Sequence, residues 1–355
     1  MTAVSHARTN QKRRTPGRVV LPRLTSTRAL AALAVFVFHL YHADVLSGNP
    51  IPFTYAVMTY FFILSGFVLT WSTAPGTPLK LYYWRRFARI WPSHLTMLVV
   101  ALLVPVTRYA PTLLAVVANL FLVQAWVPKG NVLFGLNALS WSLSVEVAFY
   151  AALPFVVGWL RKQSTRTRWM TAGALFLADA VVVVVAGHIG GNVATGGYSQ
   201  PLLRAGEFML GCVAALEVER GWRLPARVRW PIAVITLGLA FLVPHPLPSL
   251  NVFLAPMWLM LIVGWVQADL DGRRSPFTSK PMIYAGQLSF AFYLTHDLVI
   301  LNFQHWLHIA ALPLCGLMFL GALGSAILLH HGVEQPAQRA LSRRGPRRAA
   351  DSDKL

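Results

Sequence analysis

Cysteine is nearly absent from this sequence, which contains only two among its 355 residues. Both of them, Cys212 and Cys315, lie in apolar stretches. A disulfide framework needs several cysteines at regular spacings, and a structural zinc site needs clustered cysteine and histidine ligands. The sequence therefore predicts neither disulfides nor a metal site.

Charged residues are scarce as well. They make up 12% of the chain, whereas soluble domains carry about 25%. Hydrophobic residues account for 56%, and the mean hydropathy is +0.55. Because the apolar stretches are long enough to cross a bilayer, the composition excludes an ordinary soluble domain. The fold class predicted is all-α: a polytopic bundle of transmembrane helices.

Acidic residues are the scarcest of the charged ones, with 12 Asp and Glu against 31 Lys and Arg and a net charge of +19. The basic residues form short clusters between apolar segments, which is the pattern of cytoplasmic loops. We therefore expect no nucleic-acid partner. The clusters are the N-terminal tail, 80–89, 161–168, 220–229, 273–280 and 339–354.

Eleven apolar segments are candidates for membrane crossings. They lie at 25–46, 52–72, 93–108, 112–128, 139–160, 170–187, 201–218, 230–246, 249–267, 282–304 and 311–331. If all basic clusters are cytoplasmic, an even number of crossings separates each cluster from the next. Three segments lie between Arg89 and Arg161, so one of them does not cross. We predict that 112–128 is re-entrant or interfacial, with 93–108 as the alternative, which leaves about ten crossings and both termini in the cytoplasm.

The same pattern predicts one membrane domain between two basic tails. The domain covers 24–335, and the cytoplasmic tails cover 1–23 and 336–355. The N-terminal tail precedes a hydrophobic run without a convincing cleavage site, so we expect it to be retained. We expect the protein to reside in the plasma membrane of a bacterium.

Arg28 and His39 stand in the first apolar segment, eleven residues apart. At about 100° per residue the two side chains share one helix face, and His39 lies about 16 Å further along the axis. If Arg28 lies at the inner interface, His39 is near the bilayer midplane, where a polar group is a functional candidate. The alternative is a packing histidine bonded to a backbone carbonyl.

A second candidate site is the stretch YYWRRFARIWPSH at 82–94, predicted to be the first inner loop. Its arginines are Arg85, Arg86 and Arg89, of which the last two are three residues apart and would share a helical face. Guanidinium groups suit phosphate, and Trp84 or Trp91 could stack on a nucleobase. The alternative is purely topological, since cytoplasmic loops collect basic residues and interfaces collect tryptophan.

Glu146 lies about two turns into a predicted span, so it needs a cation or a proton. Glu146 either takes part in the chemistry or forms a structural ion pair with an arginine. Arg204 and Glu207, three residues apart, are expected to neutralise each other on one helix face. His296 and Asp297 fall in the middle of a span, and the sequence assigns them no role.

These motifs together resemble the acyltransferase-3 family of integral membrane O-acyltransferases. The matching stretches are Arg28 with His39, FFILSGFVL (61–69), RRFARIWP (85–92), WSLSVEVAFY (141–150), RAGEFMLG (204–211), LSFAFYLTH (288–296) and VEQP (333–336). They follow the family's order from about residue 23 to 339. The resemblance implies ten spans with both ends cytoplasmic, which agrees with the independent charge count.

The resemblance also implies an activity: transfer of an acyl group from acyl-CoA, bound from the cytoplasm, to a hydroxyl of a carbohydrate, glycolipid or glycosylated natural product. It makes Arg28 and His39 the essential first-span pair and Arg86 and Arg89 the donor-binding pair, with Arg85 beside them. Glu146 matches an acidic position in the family's pattern. No permanently bound cofactor is expected. Many members carry an additional soluble esterase domain, so whether a separate partner outside the membrane completes the transfer is left open.

For the chemistry, an imidazole that titrates near neutrality suits a base for the incoming hydroxyl, and we assign that role to His39. A covalent acyl-histidine relay is the alternative. We expect Glu146 in the outer half of the bilayer, where it either orients His39 or accepts a hydrogen bond from the sugar. The rival class is a transporter or polysaccharide exporter, which would also carry charges within the membrane. No internal repeat typical of transporters is present. A scaffolding membrane protein is the third class, and the number of intramembrane charges disfavours it.

Overall fold

The computed structural model describes residues 20–48, 56–242 and 250–346, and within these ranges every regular element is helical. The helices are α1 (Pro22–His42), α2 (Val57–Ser72), α3 (Leu79–Leu103), α4 (Leu113–Leu120), α5 (Gly130–Leu133), α6 (Trp141–Arg161), α7 (Thr165–Ile189), α8 (Gly191–Ser199), α9 (Ala205–Glu219), α10 (Ala226–Leu242), α11 (Leu250–Leu270), α12 (Lys280–Trp306), α13 (Ala311–Leu329) and α14 (Gln335–Arg344). Short 3₁₀ turns occupy Gln124–Trp126, Ala138–Ser140, Pro201–Arg204 and Pro276–Thr278, and His330–Glu334 forms a π-helix.

The long helices coincide with the apolar segments of the sequence. Among the described residues, each of the ten segments predicted to cross overlaps a helix, the shortest of 15 residues and the longest of 27. Within the described ranges, four stretches are by themselves long and apolar enough to span a bilayer: Pro22–His42, Ala138–Arg161, Thr165–Ile189 and Ala311–Arg343. The protein is therefore an integral membrane helical bundle. Residues 1–19 and 347–355 of the predicted tails, and parts of the segments at 52–72, 230–246 and 249–267, lie outside the described residues.

The segment at 112–128 forms no long helix. Its α4 has eight residues and is followed by the 3₁₀ turn Gln124–Trp126. Eight helical residues extend for about 12 Å, well short of the roughly 30 Å of a hydrocarbon core. This agrees with the prediction that 112–128 does not cross, whereas the alternative segment at 93–108 belongs largely to the 25-residue α3.

The stretch at 82–94 is not a loop, and this expectation was wrong. It forms most of the first half of α3, which begins at Leu79 and continues through Pro92. Leu, Arg and Ala favour helix, and a proline within a membrane helix is tolerated when neighbouring groups satisfy the freed carbonyl. Pro92 removes the helical N–H donor of the Ala88 carbonyl, yet α3 continues through it to Leu103. The arginines of this stretch are therefore distributed by helical periodicity.

Glycines allow the central helices to approach closely. A Cβ at Gly66 of α2 would overlap the carbonyl of Phe208 in α9, and one at Gly286 of α12 would overlap the carbonyl of Thr25 in α1. Small residues at such crossings are the usual basis of tight helix packing in membranes. Thus α2 packs on α9 and α1 packs on α12.

The buried charges of the surrounding framework are paired. Arg204 donates to Glu207 at 2.9 Å, as the sequence predicted, and Arg168 donates to Glu217 at the same distance. Asp179, to which the sequence assigned no role, accepts a hydrogen bond from the backbone N–H of Gly206 at 2.7 Å. Because unpaired charges are costly in an apolar interior, these contacts explain five of the intramembrane charges as structural.

Candidate active site

A cavity of about 230 Å³ lies between α1, α2, α3, α6 and α12. Its walls are largely apolar, but several polar side chains line it. They are Arg28, Ser65, Arg86, Arg89, Ser142, Glu146, Tyr150, Ser289 and Tyr293. Four of the six residues selected from the sequence therefore line this cavity.

The cavity carries two cations that form no direct ion pair with a described residue. Neither Arg28 nor Arg86 forms an ion pair or a hydrogen bond with any residue that the structure describes, and the Arg86 Nε is buried. The Arg86 guanidinium lies 5.7 Å from the ring centroids of both Tyr82 and Tyr150, so cation–π contacts hold it in place. Glu146 interacts with Arg28 through its charge, but one carboxylate against three arginines leaves the cavity with a net positive charge. Within a membrane bundle, such a charge favours an anionic ligand.

Arg89 lies on the same face of α3, one turn after Arg86. Its NH1 group donates to Oε1 of Glu334 at 2.6 Å, and its guanidinium lies 5.4 Å from the Phe290 ring centroid. The shared face of Arg86 and Arg89, predicted from their spacing, is confirmed because both side chains line the cavity. Their neighbour Arg85 is exposed and does not line it.

Glu146 supplies the one carboxylate that lines the cavity among the described residues. Its Oε1 accepts a hydrogen bond from the Tyr150 hydroxyl at 2.6 Å. The position of Glu146 in the same cavity as the arginines contradicts its expected place in the opposite half of the bilayer. The reason is that residues 135–145 are all buried, so α6 begins inside the protein rather than at its outer surface.

The tryptophans of α3 do not line this cavity. Trp84, Phe87 and Trp91 stack along another face of the helix, with neighbouring ring centroids 6.0 and 5.5 Å apart. The Trp84 indole N–H donates to the Leu341 carbonyl of α14 at 2.8 Å. These contacts are structural, so the expected stacking of a nucleobase on Trp84 or Trp91 has no support within the cavity.

His39 lies outside the cavity, in the last turn of α1. Its Nδ1 is 2.8 Å from the Val35 carbonyl and 3.2 Å from Nε2 of His296 in α12. Because a carbonyl can only accept, we assign the ring hydrogen to Nδ1, which leaves a lone pair on Nε2. That Nε2 has no partner among the described residues.

The backbone bond of His39 fits the packing alternative, but the surroundings of the ring do not resemble ordinary packing. His296 is fully buried, and the adjacent Asp297 accepts two hydrogen bonds from Arg108, at 2.5 and 3.1 Å. Two imidazoles and a buried ion pair thus lie together between α1 and α12. The sequence showed His296 and Asp297 as unusual because they fall in the middle of a span, but no local pattern connects them with Arg108.

The cavity and the histidine pair are neighbours along α12. Tyr293 lines the cavity, and its ring centroid is 5.9 Å from that of His296, one turn further along the helix. Helices α1 and α12 run in parallel, because Gly286 contacts Thr25 while His296 contacts His39. Arg28 and His39 therefore both face α12, about 16 Å apart along the axis of α1.

A cationic cavity thus lies next to a histidine pair inside a membrane helical bundle. The sequence model of the acyltransferase-3 family, described as an acyltransferase domain, matches residues 21–331, and the chain belongs to this family. Acyltransferase MdmB of Streptomyces mycarofaciens is 33% identical over 372 aligned positions, covering 93% of this chain and 95% of MdmB. Peptidoglycan O-acetyltransferase OatA of Listeria monocytogenes is 29% identical over 156 positions, covering 39% of this chain and 24% of OatA. No solved structure matches the chain.

These comparisons decide between the classes that the sequence left open. A family match over nearly the whole chain and two relatives named as acyltransferases show that the protein is an O-acyltransferase enzyme. The transporter and scaffold readings are set aside.

Proposed function

We propose that this acyltransferase moves an acyl group, acetyl in the simplest case, from acyl-CoA to a hydroxyl of a carbohydrate or glycosylated acceptor. The observation that carries the proposal is the charge of the cavity. Arg28, Arg86 and Arg89 share the cavity with a single lining carboxylate, Glu146, and the first two form no direct ion pair with a described residue. CoA is an anion through its phosphates, and arginine binds phosphate through two parallel N–H donors.

The size of the cavity limits which part of the donor it takes. Pockets for whole drug-sized ligands measure roughly 300–1,000 Å³, and this one measures about 230 Å³. It is large enough for the pyrophosphate and the first part of the pantetheine arm, but not for the entire CoA molecule. We propose that Arg28, Arg86 and the N–H groups of Arg89 that Glu334 does not use bind phosphate oxygens there. The adenosine end remains outside.

The arm then extends along α1 and α12 towards His39, which lies about 16 Å beyond Arg28. The lone pair of His39 Nε2 takes the proton of the acceptor hydroxyl as its oxygen attacks the thioester carbon. The carbon–sulfur bond breaks, and the CoA thiolate leaves and receives the proton from His39. His296 lies against Nδ1 of His39 and, together with the Val35 carbonyl, orients the ring for this step.

Glu146 has a different role in this scheme from the one considered from the sequence. Its carboxylate contacts Tyr150 and not His39, so orientation of the imidazole by Glu146 has no support. Its second oxygen has no partner among the residues described. We propose that this oxygen accepts a hydrogen bond from the amide or hydroxyl groups of the donor's arm.

We further propose ten crossings with both termini in the cytoplasm of a bacterium, the arrangement that the basic clusters favour. The arginines of α3 then lie on the cytoplasmic side, where acyl-CoA is available. His39, at the other end of α1, lies towards the outer side, where a surface carbohydrate or an exported product could approach.

Thioester consumption by the purified protein tests the proposal. Acetyl-CoA is incubated with the protein and a panel of hydroxyl acceptors, and free CoA thiol is measured. A peptidoglycan fragment belongs in the panel because OatA is named as a peptidoglycan O-acetyltransferase. We expect thiol release that depends on an acceptor, matched by an equal amount of acylated product. Acyl transfer that proceeds from a donor other than a CoA thioester would contradict the donor assignment.

A further inference from the structure

The π-helix His330–Glu334 is not used by the proposed reaction, yet it places a carboxylate against the cavity. Glu334 is 1% exposed and accepts hydrogen bonds from three residues. Arg89 donates to Oε1 at 2.6 Å, Gln338 donates to Oε1 at 3.2 Å, and His330 Nδ1 donates to Oε2 at 2.8 Å. A buried carboxylate with this many donors is held in one position.

The local helix geometry explains why Glu334 points at α3. A π-helix inserts one extra residue into a helical turn and so changes the direction of the side chains that follow, and such turns are frequent at functional sites. His330 accepts a hydrogen bond from the Gln335 amide on Nε2, at 2.9 Å, which leaves its Nδ1 hydrogen for Glu334. The histidine therefore fixes the carboxylate oxygen that Arg89 does not use.

Arg89 has more hydrogen-bonding capacity than Glu334 uses. A guanidinium carries five N–H donors on a planar fork, and the ion pair occupies only NH1. The Arg89 side chain is 31% exposed and lines the cavity, with the Phe290 ring beneath the guanidinium. One edge of the fork is thus anchored on Glu334 while the rest remains available to a ligand.

We propose that Glu334 is a positioning residue that holds Arg89 in the orientation that binds the donor's phosphates. This inference rests on the proposed function, because it takes Arg89 as a donor ligand. Glu334 and the donor contact different N–H groups of Arg89, so both are bound at the same time. The three contacts hold the Glu334 carboxylate in one position. It therefore does not compete with the donor for the other N–H groups of Arg89.

The test is two-substrate kinetics on Glu334→Gln, beside direct binding of CoA to the purified protein. The glutamine keeps the volume of the side chain but lacks the charge that holds the guanidinium. We expect the KM for acyl-CoA and the Kd for CoA to rise about tenfold or more, since small displacements of a positioned group are costly. The kcat at saturating donor and the KM for the acceptor stay unchanged.

A matched control separates this effect from a general loss of stability. Glu217 is also buried and receives a charge-assisted hydrogen bond from Arg168 at 2.9 Å, but it does not line the cavity. Glu217→Gln should lower membrane yield or thermal stability about as much as Glu334→Gln does. Its KM for acyl-CoA should remain that of the parent enzyme.

The double variant Arg89→Ala/Glu334→Gln completes the cycle, and its donor KM should equal that of Arg89→Ala alone. An unchanged or lower donor KM in Glu334→Gln, with Arg89→Ala impaired, would overturn the positioning role and leave the proposed donor site intact. A normal donor KM in Arg89→Ala would overturn both, because Arg89 would then not bind the donor. An equal rise of the KM for acyl-CoA in Glu334→Gln and Glu217→Gln would show that Glu334 acts only through stability.

Discussion

Replacement of Arg28 by glutamine separates a ligand-binding arginine from a structural one. Arg28 lines the cavity and forms no direct ion pair with a described residue. It interacts with the charge of Glu146, but Arg28→Gln still leaves Arg86 and Arg89 in the same cavity as that carboxylate. We therefore expect the variant to insert and fold like the parent protein. Its defect should appear only when the anionic donor binds.

The size of that defect follows from the interaction that is lost. A hydrogen bond to a charged group contributes about 1.5–3 kcal/mol. At about 1.4 kcal/mol per decade, the Kd for CoA should rise roughly 10- to 150-fold. The assay is equilibrium binding of CoA to the detergent-solubilised protein, with thermal unfolding measured on the same samples.

Arg168→Gln is the matched control, because Arg168 is buried and paired with Glu217 at 2.9 Å away from the cavity. Its loss leaves a buried carboxylate unpaired, which costs about 3–5 kcal/mol, so the protein should be clearly less stable while the folded fraction binds CoA normally. The reasoning is refuted if Arg28→Gln binds CoA as tightly as the parent. It is also refuted if Arg28→Gln is destabilised as strongly as Arg168→Gln.

Three further predictions follow from the same geometry. His39→Ala should reduce acyl transfer by about 10²–10⁴-fold without changing CoA affinity, since His39 lies outside the cavity. Retention of more than about a tenth of the rate would exclude His39 as the base. Arg86→Ala should weaken CoA binding roughly 10- to 150-fold, whereas replacement of the exposed Arg85 by alanine should change it by no more than about twofold. Equal effects would mean that both arginines only set the membrane topology. Single cysteines at Asn131 and Ser164 should label from opposite sides of the membrane in intact cells, and labelling from one side would mean that α6 does not cross.

Properties that depend on neighbouring residues could be predicted from the sequence. Among the described residues, hydropathy located each long helix because the bilayer requires long apolar segments, but it missed the basic first half of α3. Helical periodicity predicted that Arg86 and Arg89 share a face, and three-residue spacing predicted the Arg204–Glu207 pair. Periodicity would also have separated Arg85 from the other two, had the stretch at 82–94 been taken as a helix.

Contacts between distant parts of the chain could not be predicted in this way. His296 meets His39 and Glu334 meets Arg89 across about 250 residues, because α12 and the π-helix pack beside α1 and α3. No local pattern reports which helices are neighbours. The depth of Glu146 was missed for a related reason, since the buried segment before α6 starts that helix inside the protein.

A structure determined with bound CoA tests the central claim most directly. The account predicts phosphate oxygens within hydrogen-bonding distance of Arg28 and Arg86, the pantetheine arm running between α1 and α12, and the thiol directed towards His39. CoA bound through the exposed side of α3 near Arg85, with the cavity left empty, would contradict it.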